Sequence, residues 1–200
     1  MLLTSSLFAG VLGAVVLLWN RSFVTLWVGD EHYAGMWVNL FLVLMAVQLL
    51  LIRNDTYLID LTLNVRRKVI LGFVSFLISS SIAVVLAPFL GVMGLCLGIL
   101  LGRLVLTLAY PTLTGTFLGS SLPAQLRPLL RPGLLMGALF VVSAYIGEIA
   151  SAKKWLHLIA YIGINVPLMF VAMFWGGFSA QQRTVLIRRV MNLTLKAQNG

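Results

Sequence analysis

In 200 residues, 60% are hydrophobic and only 10% carry charge, a balance that excludes a water-soluble domain, whose surface must be mostly polar. The formal net charge of +9 belongs to a chain with no soluble basic domain, so it reads as a topology signal and an attraction to anionic lipid, and argues against nucleic-acid binding. The single cysteine, Cys96, lies in an apolar block, which excludes a disulfide framework or a cysteine metal cluster within one chain and leaves a small packed hydrophobe.

At about 20 apolar residues per crossing, the chain predicts an all-α, polytopic membrane bundle of about six helices over 1–175, then a basic tail over 176–200. The expected spans are Leu2–Trp19, Tyr33–Ile52 with a polar extension, Val69–Ala87, Leu90–Tyr110, Gly133–Ala150 and Trp155–Trp175. Trp19, Trp27, Tyr33, Trp37, Tyr110, Trp155 and Trp175 fall near span ends, where amphipathic rings prefer the headgroup level. The first span has no basic region before it and no A-x-A-like site after it, so it makes a poor signal peptide. A helix beginning at the first residue reads instead as the middle of a longer membrane protein.

The second span runs into RNDTYLIDLTLNVRRK, which holds Arg53, Asp55, Asp60, Arg66, Arg67 and Lys68 but no Gly, Pro or Ser, and so predicts continued helix. At 100° per residue Arg53, Thr56, Tyr57, Asp60 and Asn64 share one face, while Gln48, Asp55 and Thr62 share roughly the opposite one. In one reading Arg53 and Asp60 line a wet cavity and meet a charged substrate. In the other the helix has left the bilayer: Tyr33 to Asn64 would span about 48 Å against a hydrocarbon core of about 30 Å. The length argument assigns Asp60 and Asn64 to a solvated helix end and leaves Arg53, with Asp55, as the deep substrate contact.

Spans three and four are separated only by Pro88 and its neighbours, which predicts a tight helical hairpin. Gly94, Gly98 and Gly102 recur every four residues, a pattern that lets a neighbouring backbone approach closely. Ser75 and Ser79 offer a small face on span three, and Gly133 and Gly137 one on span five. Arg103 is either a snorkelling side chain or a cationic site for an anionic substrate. Glu148 is expected to form an interfacial ion pair with Lys153 or Lys154, with a proton-coupling carboxylate as the alternative. Pro167 should kink span six and free a carbonyl for Asn165 or another helix, and His32 and His157 read as isolated interfacial residues. In the tail, Val185, Leu186, Val190 and Leu193 among Arg183, Arg188 and Arg189 fit a basic amphipathic surface segment.

Arg66, Arg67, Lys68, Arg127, Arg131, Arg183, Arg188, Arg189 and Lys196 fall on one side of this topology, against Arg21, Lys153 and Lys154 on the other. The positive-inside preference then puts both termini in the cytoplasm. No nucleophile elbow, H-E-x-x-H, phosphate loop or metal-spaced acidic pair is present, so no catalytic role, cofactor or metal is expected.

Three segments carry a family resemblance: NRSFVTLWVGDEHYAG from Asn20 to Gly35, RNDTYLIDLTLNVRRKV, and FLGVMGLCLGILLGR from Phe89 to Arg103. Phe23 with Leu26-Trp27-Val28-Gly29, the polar helix end Asn64 to Lys68, and Gly91 with Gly94 give the order and spacing over about the first 110 residues. The chain resembles the C-terminal part of bacterial polysaccharide-biosynthesis flippases of the multidrug, oligosaccharidyl-lipid and polysaccharide exporter superfamily. The resemblance implies a transporter of two rocking bundles around a cationic cavity in the cytoplasmic (inner) membrane, moving a lipid-linked oligosaccharide on a polyprenyl diphosphate. It implies membrane lipid, the absent first bundle and other polysaccharide-assembly proteins as partners, and makes Arg53, Asp55 and Arg103 the candidate substrate contacts. Lacking the first bundle, this polypeptide alone is not expected to alternate access. Two other readings stay open: a small non-transporting scaffold that docks another subunit on its glycine faces, and a membrane glycosyl- or phospho-transferase, which would need a catalytic constellation that the chain does not present.

Overall fold

The computed structural model describes residues 2–61, 65–119 and 121–188, and every regular element among them is helical. They are α1 (Leu2–Trp27), a short 3-10 turn (Asp30–His32), α2 (Met36–Leu61), α3 (Val65–Leu90), α4 (Val92–Leu118), α5 (Leu122–Ile149), α6 (Trp155–Ala172), a π-helical turn (Met173–Gly177) and a helical stretch over 180–188. Six of the helices are long and apolar enough to cross a membrane. The expected all-α, six-helix membrane bundle is the fold.

Helix α1 is the axis. Of its most apolar stretch 61% is buried, against 6% for α3, so α1 lies inside the bundle and α3 on its edge. α1 packs on α2, α5 and α6. Small residues make these approaches possible: a side chain on Gly13 would strike Phe140 and Val43, and one on Gly147 would strike the Leu17 carbonyl. Val11, Ala14, Leu17 and Leu18 of α1 join Phe140, Ala144, Leu158 and Met173 in the main core. Trp19 stacks on Tyr161 of α6 with ring centroids 5.1 Å apart.

Helices α3 and α4 form the expected hairpin. Gly91 turns it in the left-handed region, at φ 57°, which costs glycine little. Across the hairpin Gly94 faces Leu86, Gly98 faces Ala83 and Gly102 faces Ser79, so the glycine stripe is spent on α3. The hydroxyl of buried Ser75 donates to the Gly102 carbonyl at 2.9 Å. The other side of α4 meets α2, where Gln48 Nε2 donates to the Leu100 carbonyl at 3.2 Å and Ile52, Ile59 and Tyr110 form a second core.

Several helices run further than hydropathy alone predicts. α1 continues past Trp19 and Arg21 to Trp27, α4 passes through Pro111 to Leu118, and α5 begins at Leu122, eleven residues before Gly133. Pro123 stands in the first turn of α5, where its missing N–H is no loss. Pro132 leaves the Pro128 carbonyl without its helical donor, and Gln182 Nε2 supplies one at 2.8 Å. At Pro132 a side-chain donor thus replaces the missing backbone one, and Arg127 and Arg131 lie on α5 instead of in a connecting loop.

Helix α6 runs on through Pro167 to Ala172, and Asn165 donates to the Tyr161 carbonyl at 2.8 Å, not to the Gly163 carbonyl that the proline frees. The α-helical pattern changes at the π turn Met173–Gly177. There Arg131 Nε donates to the Gly176 carbonyl at 3.0 Å. The expected boundary at residue 175 therefore cuts through a packed turn, and the stretch after it folds back: Leu186 is buried and Arg183 sits over the Trp175 ring at 4.6 Å. Val190, Leu193, Arg189 and Lys196 lie outside the described residues.

The glycine face makes the hairpin testable. Gly98→Leu should destabilise the protein by about 1–3 kcal/mol through overpacking, because its Cβ would come within 2.6 Å of the Ala83 nitrogen. Gly137→Leu, where nothing lies within 4 Å, should leave the midpoint near wild type. Thermal unfolding in detergent checks both, and equal midpoints would remove the close-packing account.

Candidate functional site

The three candidate substrate contacts do not converge. Arg53 is exposed on the outside of α2, where its Nε donates to Tyr57 Oη at 3.2 Å and its guanidinium lies 6.0 Å from the Tyr57 ring. The two polar stripes of α2 separate accordingly. Arg53, Tyr57 and Asp60 face outward, whereas Gln48 and Asp55 turn into the bundle. Asp60 is paired with Lys68 at 2.6 Å, which fits a solvated helix end, and Thr62 and Asn64 lie outside the described residues.

Asp55 is 8% exposed and lines a pocket of about 60 Å³ between α2, α4 and α5. Leu51, Pro111, Leu126 and Leu129 supply apolar walls, with Thr107 and Gln125 as the polar side chains nearby. Gln125 is turned to the α4 backbone, its Nε2 donating to the Pro111 carbonyl at 3.1 Å. Among the described residues no donor or cation is bonded to the Asp55 carboxyl.

Arg103 is half-buried on α4, one turn before Thr107, and faces α3 where Thr107 faces the Asp55 pocket. It lines an open groove of about 350 Å³ with Ser75, Phe76, Ser79, Ser80 and Leu106. Among the described residues no acidic side chain lines this groove, so the guanidinium brings positive charge to a surface otherwise made of hydroxyls and apolar walls. Arg53 lines neither cavity. The glycines bring α4 against α3 and thereby shape the Arg103 groove, but they touch no ligand position themselves.

A fourth cluster was not legible from spacing. Glu148, expected to pair with Lys153 or Lys154, instead accepts from Arg21 Nη1 at 3.0 Å and from Tyr33 Oη at 2.8 Å, one bond to each carboxylate oxygen. Arg21 also donates to the Glu148 carbonyl at 2.9 Å and to Asp30 at 3.2 Å. The correction has a simple cause: α1 continues to Trp27 instead of ending at Trp19, about two turns further than expected, which carries Arg21 up beside the end of α5. Lone charges of opposite sign near the ends of two spans were the available signal, yet nothing local shows that α1 and α5 are neighbours. Arg21 and Thr25 hold the Asp30 carboxyl below the usual carboxylate range. Burial, then the bond to Glu148, pushes the Tyr33 phenol well above its usual value. The cluster walls a cavity of about 390 Å³ with Ser22, Ser151 and Ala152.

His32 has Glu31 at 3.5 Å, both exposed, and His157 lies 6.2 Å from the Tyr161 ring. Among the described residues no three His, Cys, Asp or Glu side chains gather as a metal site. Cys96 is buried and unpaired within the bundle. No protein-family model, curated protein or solved structure matches the chain.

The Asp30 contact has a pH signature. A carboxyl whose folded pKa is depressed stabilises the fold above its ordinary value, and that contribution is lost as pH falls through the lowered one. The difference in melting temperature between wild type and Asp30→Asn should therefore be present at neutral pH, shrink in acid and shrink with added salt. A difference constant across pH would show that Asp30 acts through something other than its charge.

Proposed function

We propose that the chain is part of a membrane transporter that flips a lipid-linked oligosaccharide across the bacterial cytoplasmic membrane for polysaccharide biosynthesis, and that it contributes one of the helical bundles. The observation that carries the reading is the Arg103 groove. A guanidinium offers planar, forked donors suited to phosphate oxygens, and a polyprenyl diphosphate carries such oxygens at the junction of sugar and lipid. Serine hydroxyls beside Arg103 can complete the contact, and the apolar face of α3, with Phe73 and Phe76 about 60% exposed, offers a wall for a polyprenyl chain.

The segment order that resembles flippases supports the same reading. The scaffold alternative loses its main surface, because the α4 glycines are already covered by α3. The faces at Gly133 and Gly137 stay open and suit the approach of a further bundle.

In the complete transporter, Arg103→Ala should lower export about tenfold to a hundredfold, the loss of one charged hydrogen-bonding contact of about 1.5–3 kcal/mol. Arg103→Lys should retain part of it, and Arg53→Ala, on the outside of α2, should stay near wild type. Surface polysaccharide measured in cells at matched protein levels reads the effect. Undiminished export with Arg103→Ala would end the groove's role.

A further inference from the structure

Asp55 presents a problem that the oligosaccharide reading leaves unsolved. It is 8% exposed, faces a small cavity and has no bonded donor or cation among the described residues. An isolated carboxylate in apolar surroundings costs several kcal/mol or more, so such a group neutralises or finds a counter-ion. The elements packed against it offer none. On α4 the lining is Thr107 and Pro111, and on α5 it is Gln125 and Leu129; none of these titrates. On α2, Arg53 turns outward to Tyr57, and on α4, Arg103 belongs to the groove on the α3 side.

The cavity limits what can occupy it. About 60 Å³ holds one or two waters but no lipid headgroup or sugar. A hard metal cation takes about six oxygen ligands. Here the side-chain oxygens lining the cavity are the carboxyl, the Thr107 hydroxyl, which already donates to the Arg103 carbonyl at 3.0 Å, and the Gln125 amide. Side chains alone offer a metal fewer than about six oxygens, whereas a proton needs one.

We propose that Asp55 is a proton-binding site: its carboxylate takes a proton from water reaching the α2/α4/α5 pocket and returns it to that water. The site shares no lining residue with the Arg103 groove and does not depend on what is transported. A neutral carboxylic acid resolves the burial cost and can donate a hydrogen bond to pocket water. The ionised form requires more water in the pocket, so protonation and packing of α5 against α2 are coupled.

Infrared difference spectroscopy of the full chain in lipid nanodiscs, between acid and alkaline pH, tests this. A protonated-carboxyl band, shifted by isotope-labelled aspartate, should appear reversibly on acidification, vanish in Asp55→Asn and be indifferent to exchange of potassium for sodium. Asp30→Asn with Asp60→Asn leaves Asp55 as the sole aspartate. This double variant assigns the band even where Asp55→Asn fails to assemble. The proposal fails if Asp55 shows no such band at any pH, if the band is independent of pH, or if sodium at fixed pH abolishes it, which would make the pocket a metal-cation site.

Discussion

The bundle depends on how closely α1 can be approached. In an apolar medium helices gain little from hiding hydrophobic side chains, so association rests on van der Waals contact between surfaces that fit. Gly13 admits Phe140 and Val43, and Gly147 brings α5 onto the α1 backbone at Leu17. With α1 enclosed by α2, α5 and α6, the remaining helices are arranged by what those three leave open. The α3/α4 hairpin is the result: it reaches the rest chiefly through α4 on α2, and α3 stays almost bare.

A second constraint, that backbone polar groups be satisfied away from water, accounts for the helix continuing through Pro132. Gln182 reaches back from beyond the π turn to the carbonyl that Pro132 releases, and Arg131 reaches from α5 to Gly176 in that turn. These two bonds run in opposite directions between the same pair of segments. They tie the stretch after Gly177 into the bundle, where composition alone suggested a tail lying on a surface.

How much of this was legible follows from the range of the signals. Hydropathy finds apolar runs, so it located all six helices, but it truncates each helix where polar residues begin, as at Arg21 and before Gly133. The four-residue spacing of Gly94, Gly98 and Gly102 is a local pattern, and it pointed correctly to a close contact; the identity of its partner, α3, follows from the one-residue turn at Gly91. Arg21 and Glu148 are 127 residues apart, and their pairing requires the tertiary arrangement of α1 and α5. The two stripes on α2 were visible in the helical angle of the residues, though their assignment was not: periodicity says that Arg53 and Asp55 point apart, and only packing says which one points inward.

That assignment changes how charge is distributed across α4. Among the described residues, the side of the helix toward α2 and α5 meets the Asp55 carboxyl without a counter-charge, while the side toward α3 carries the Arg103 guanidinium without one. Had the two met, each would have satisfied the other. Thr107 links them through the backbone: its hydroxyl caps the Arg103 carbonyl while its side chain lines the Asp55 pocket. The same turn of α4 thus borders both cavities while its two neighbouring charges stay unpaired with each other.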